Sequence, residues 1–145
     1  MNKNQLKMMH YGTTIDKVMK DTEAQQEVLS PLFEALRSAI DAGTEQAFDA
    51  ETYTETKTAF TAGTAVYASL SDKLAALAAP ARLMGNHVLL KNTYADFVAG
   101  CQAMTASLGD APADLDVAAF NSAEAAQDEA TDKLMKYLQR ISALV

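Results

Sequence analysis

Few side chains in this chain can do nucleophilic or metal chemistry: His10, His87 and Cys101, set among nineteen acidic residues and five tyrosines. His87 and Cys101 share one helix face, and a thiolate–imidazole pair is the chemistry those types could perform. They lie fourteen positions apart, which is about 21 Å along a helix and far beyond hydrogen-bond reach. His10 approaches Cys101 only if the N-terminal segment folds over the opposite end of the molecule. Cys101 therefore reads as a small buried hydrophobe.

Metal chemistry fares no better. A di-iron bundle needs Glu-x-x-His on two helices, but the residues three before His87 and His10 are Met84 and Lys7. Zinc asks for three or four His, Cys or carboxylate ligands, more than two histidines and one cysteine supply without buried acids. Glu124, Asp128 and Asp132 recur every four residues off the apolar stripe of their helix, the pattern of a solvated face. No Gly-x-x-x-x-Gly-Lys loop is present for phosphate. The expectation is no catalytic set, no metal and no cofactor.

One polar constellation remains. In an antiparallel bundle, counting rise per residue places Thr22, His87 and Tyr137 at nearly one height, with Gln25 and Tyr67 one turn above. All five occupy inward stripe positions. They form either a buried hydrogen-bond network that fixes helix register or the polar groups of a small ligand pocket. His87 is expected to be buried and bonded to a hydroxyl or amide of another helix.

The element that must carry His87 is Leu83–Leu108, LMGNHVLLKNTYADFVAGCQAMTASL. Its large side chains fall at Leu83, His87, Leu90, Tyr94, Phe97, Cys101, Met104 and Leu108, in steps of four and three. That spacing aligns one narrow stripe on a long helix, which needs facing stripes from elsewhere. Matching stripes run Ile15–Ala39, Tyr53–Leu77 and Phe120–Leu144. Gly43 is a natural helix stop, Asp49 and Asp114 are candidate N-caps, and Gly109–Ala113 is the clearest loop. Small residues at Ala59, Ala62, Gly63 and Ala65 predict close approach of a neighbouring helix.

These signals predict helices over about 14–42, 50–79, 81–108 and 114–144 within one domain of residues 1–145, after an arm of residues 1–12. The first helix starts either at a Thr13 cap or near Asn4, because Met8 and Tyr11 keep its heptad phase. Pro31 interrupts it. At Pro80 the chain either reverses through a turn at Ala78–Ala81, the preferred reading because a rod of nearly sixty residues needs a partner along its whole length, or kinks and continues as that rod. The fold class is all-α, an up-down-up-down antiparallel four-helix bundle with left-handed packing and an N-terminal arm or helix extension.

Composition narrows the partners. A net charge of −7 disfavours nucleic acid, whose binding rests on clustered Lys and Arg. The densest basic run, Lys133, Lys136 and Arg140, suits the last turns of a helix. The longest apolar run, Leu74–Ala81, is far short of the roughly 20 residues that span a bilayer. The opening MNKNQLKMMHYGTT lacks an apolar signal region, and a lone cysteine forms no internal disulfide. An acidic cytoplasmic protein is the default. The leading functional expectation is a non-enzymatic bundle acting through protein–protein contact, including homodimerisation through Leu6, Met8, Met9 and Tyr11. The competing expectation is a small-ligand-binding bundle built on the polar layer around His87.

Overall fold

The computed structural model describes residues 1–145. It is an all-α four-helix bundle, 88% helical and without strands. Its helices are α1 (Lys3–Asp41), α2 (Ala50–Ala76), α3 (Met84–Ser107) and α4 (Val117–Leu144), each packed on its successor.

The four rods are not equal, with 39, 27, 24 and 28 residues. The excess belongs to α1, which starts at Lys3 and has no separate arm. Asn2 and Gln5 form a reciprocal capping box: Asn2 Oδ1 accepts from the Gln5 amide at 2.8 Å, and Gln5 Oε1 accepts from the Asn2 amide at 2.9 Å. Gly12 stays helical, because Tyr11 and Ile15 on either side are buried and hold the turn between them. Pro31 also lies inside α1, on its exposed face, where the carbonyl that loses its amide partner faces water.

The remaining ends follow local chemistry. Gly43, at φ +70°, closes α1 with its own amide on the Ile40 carbonyl and the Thr44 amide on the Ala39 carbonyl. Asp49 caps α2 through the Thr52 amide at 2.9 Å. After Ala76 the chain reverses through Leu77–Pro80, and a 3-10 turn at Ala81–Leu83 delays α3 to Met84. The cap of α4 is Asp116, which accepts from the Ala119 amide at 3.0 Å. Asp114 is taken up in a 3-10 turn that Pro112 initiates.

All eight residues of the α3 stripe are buried. α3 and α4 share the most extensive contact, and a Cβ added at Gly100 would sit 2.9 Å from Gln127 Cγ. Gly63 receives α1 in the same way, with Leu29 Cδ1 at 2.7 Å from an added Cβ. α1 and α4 stand farther apart and are bridged by long side chains. Phe33 stacks on Phe120 at 5.9 Å, and the Arg37 guanidinium reaches Asn121 at 2.7 Å and Glu124 at 2.9 Å. Glu124 is thus an ion-pair partner, unlike its exposed neighbours Asp128 and Asp132.

The core is in two parts. The larger is built around Tyr11, Val18, Leu74, Leu90 and Tyr94, and the smaller around Leu36, Tyr53, Phe60 and Phe120. Leu29 packs against both. No helix is long and apolar enough to cross a membrane.

Candidate functional site

His87 stands at the start of α3, beside the end of α2. Its Nε2 is 3.0 Å from the Leu74 carbonyl oxygen and its Nδ1 is 2.9 Å from the Tyr11 hydroxyl. A carbonyl only accepts, so Nε2 carries the proton and Nδ1 accepts from Tyr11. Burial lowers the His87 pKa, and the positive charge of Lys91 lowers it further, against the raising effect of the Leu74 carbonyl. Burial pushes the Tyr11 hydroxyl up to about 12. The neutral imidazole, both nitrogens engaged, joins α1, α2 and α3 at one end of the bundle.

Thr22 lies eleven residues farther along α1, about 16 Å from Tyr11. Its hydroxyl donates to the Val18 carbonyl at 2.8 Å, so Tyr94 donates to Thr22, also at 2.8 Å. The single polar layer that the stripe positions suggest is therefore two separate hydrogen-bonded groups, His87 with Tyr11 and Thr22 with Tyr94. α1 is already helical at Tyr11, ahead of a Thr13 cap, and Tyr11 rather than Thr22 lies level with His87. Tyr137 joins neither group. It is half-buried, with the Arg140 and Lys136 cations 5.4 Å and 5.9 Å from its ring centroid. Gln25 is half-buried over Gly63 and makes no hydrogen bond.

Tyr67 belongs to a third place. Between the two parts of the core lies a cavity of about 250 Å³ to which all four helices contribute. Phe60, Tyr67, Phe97, Cys101 and Met104 form its buried wall. Tyr67 and Phe97 meet edge to face at 5.0 Å. At the α2–α3 seam, Thr105 donates to the Cys101 carbonyl at 2.9 Å and lies 3.3 Å from the Thr64 hydroxyl. The cavity is open to solvent, and its lining includes exposed Gln26 and Ser30 of α1 and half-buried Gln127 of α4. No family model, curated protein or solved structure matches the chain.

The polar groups of the cavity are neutral. Burial pushes the Cys101 thiol up to about 12 and raises the Tyr67 hydroxyl well above its ordinary range. Gln127 Nε2 donates to the Gly100 carbonyl at 3.0 Å and points at Met104 Sδ at 3.6 Å, which leaves its Oε1 without a partner. No three His, Cys, Asp or Glu side chains gather anywhere as a metal-ligand group. Of the five residues of the expected polar layer only Tyr67 lines this cavity, together with Cys101, the lone thiol singled out by sequence. Gln127 was visible as the one polar residue among Phe120, Ala123 and Ala130 on its stripe. Thr64, Ser30 and Gln26 lie off the stripes and gave no signal.

Of the arm residues, Tyr11 is fully buried and Met8 packs against the larger part of the core. Leu6 and Met9 each remain 50% exposed, and Met1 79%. The apolar surface that a projecting arm would offer is thus about halved, because α2–α3 turn residues and the end of α4 lie alongside.

Proposed function

We propose that this protein is a non-enzymatic, small-ligand-binding helical bundle whose site is the cavity at Tyr67, Cys101 and Gln127. The observation that supports it is the division of the core into two parts, with an interhelical cavity between them and a mouth to solvent. Close-packed interiors hold few voids larger than a water molecule, and small-molecule sites are mostly apolar clefts with a few placed polar groups. The non-enzymatic part rests on chemistry. His87 has both nitrogens committed, and a protonated, buried Cys101 is a poor nucleophile. A library of neutral fragments screened by amide NMR tests the reading. Perturbations centred on Thr64, Cys101 and Thr105, and lost in Cys101→Leu, support it. A library that leaves those signals unmoved removes it.

Protein–protein contact, as self-association through the N-terminal end of α1, stands second. Leu6 and Met9 on the first turns of that helix, with Met1 just before its cap, favour it as exposed apolar side chains.

A further inference from the structure

The cavity carries enough chemistry to name what it takes. We propose that its ligand is a neutral aromatic of about two fused rings bearing one hydroxyl or carbonyl oxygen that accepts a hydrogen bond from Tyr67. This rests on the ligand-binding reading and specifies its substrate class.

Size comes first. An apolar cavity of about 150 Å³ holds benzene, and this one has about 250 Å³, room for a second ring and a substituent. Shape follows from the walls. Phe33, Phe60, Tyr67 and Phe97 present ring faces and edges from three helices, and aromatic partners in edge-to-face or offset geometry are favoured over aliphatic ones there. Charge is the third constraint. No Asp, Glu, Lys, Arg or His lines the cavity, so an ionised ligand would lose its hydration without a counter-charge.

The polar contacts decide the substituent. Tyr67 is 2% exposed, and its hydroxyl has no hydrogen-bond partner in the protein. The buried side-chain oxygens left without a partner are those of Glu45 and Tyr53, so the Tyr67 hydroxyl keeps access to water, and an oxygen acceptor on the ligand takes the place of that water. Gln127 has spent its amide hydrogens on Gly100 and Met104, so its free Oε1 can accept a ligand hydroxyl proton. Thr105 is committed to the Cys101 carbonyl and is not available as a donor. Beside the phenyl rings of Phe33, Phe60 and Phe97, the Tyr67 donor and the Gln127 acceptor match a phenol-type group.

Three probes of equal ring size separate these terms on the full-length chain: 1-naphthol, naphthalene and 1-naphthoate, titrated at neutral pH and followed by amide NMR. The expected order is 1-naphthol tightest, naphthalene about three- to tenfold weaker, and 1-naphthoate at least about a hundredfold weaker. Tyr67→Phe, which keeps the ring, should bring 1-naphthol down to the level of naphthalene. Equal binding of naphthoate overturns the proposed class, as does a naphthol preference that survives Tyr67→Phe. Silence from all three probes, with other fragments still shifting the Cys101 and Thr105 signals, overturns the class and leaves a ligand site. Silence from the whole library overturns both.

Discussion

The Tyr11 hydroxyl lies 2.9 Å from His87 Nδ1, joining residues 76 positions apart, and the two rings meet edge to face at 5.3 Å. Tyr11 is wholly buried and its hydroxyl has no other partner. His87→Leu therefore strands both that hydroxyl and a share of the Leu74 carbonyl, at an expected cost of about 1–3 kcal/mol. Tyr11→Phe with His87→Leu should cost less than His87→Leu alone, because no buried tyrosine donor is left unmet. Urea unfolding of the two single variants and the double variant measures the coupling. Additive losses would mean the pair contributes nothing as a pair.

The same histidine makes stability depend on pH. Burial holds its pKa below the ordinary 6.5, so as pH falls the unfolded chain takes up the proton before the folded one. The His87 contribution is complete above about pH 6.5 and is lost as pH falls from there through the folded-state pKa. Urea midpoints should drop between about pH 7.5 and pH 5.5 in the wild type and change less in His87→Gln. Parallel slopes in both proteins would place the dependence elsewhere.

Two glycines in helix interiors should respond oppositely to alanine. An added Cβ at Gly12 meets Val145 Cγ1 at 3.8 Å, an ordinary contact, so Gly12→Ala should stabilise by about 0.5–1 kcal/mol through backbone entropy. At Gly100 the Cβ meets Gln127 Cγ at 2.9 Å, on a side chain tied back to the Gly100 carbonyl. Gly100→Ala should destabilise by about 1–2 kcal/mol as α3 and α4 are forced apart. Thermal melts of the two variants decide both signs.

Self-association through α1 is tested by substitution of exposed residues only. Leu6→Glu with Met9→Glu should leave the helical signal unchanged and the stability within about 0.5 kcal/mol of wild type, and lower the mass seen by light scattering at high concentration. A monomeric wild type removes this reading. Deletion of residues 1–12 is a poorer test, because it also takes away Tyr11 and unpairs His87.

The sequence by itself determined which face of each helix turns inward. The α3 stripe from Leu83 to Leu108 is buried at every position read from spacing, and Gly43, Asp49 and the reversal before Pro80 stand where local backbone chemistry puts them. Periodicity and caps are local properties, written within a few turns of chain. Tertiary structure decided what local signals leave degenerate. Gly12 and a Thr13 cap argued for a late start to α1, yet burial of Tyr11 and packing of Met8 outweigh the roughly 1 kcal/mol that a helical glycine costs. That early start puts Tyr11 on the helix, where it meets His87, while the packing of α1 on α3 pairs Thr22 with Tyr94. The cavity lies further still from the sequence. It arises where side chains of four helices fail to fill the space around Tyr67, and a shortfall of volume belongs to the assembled set and to no single residue.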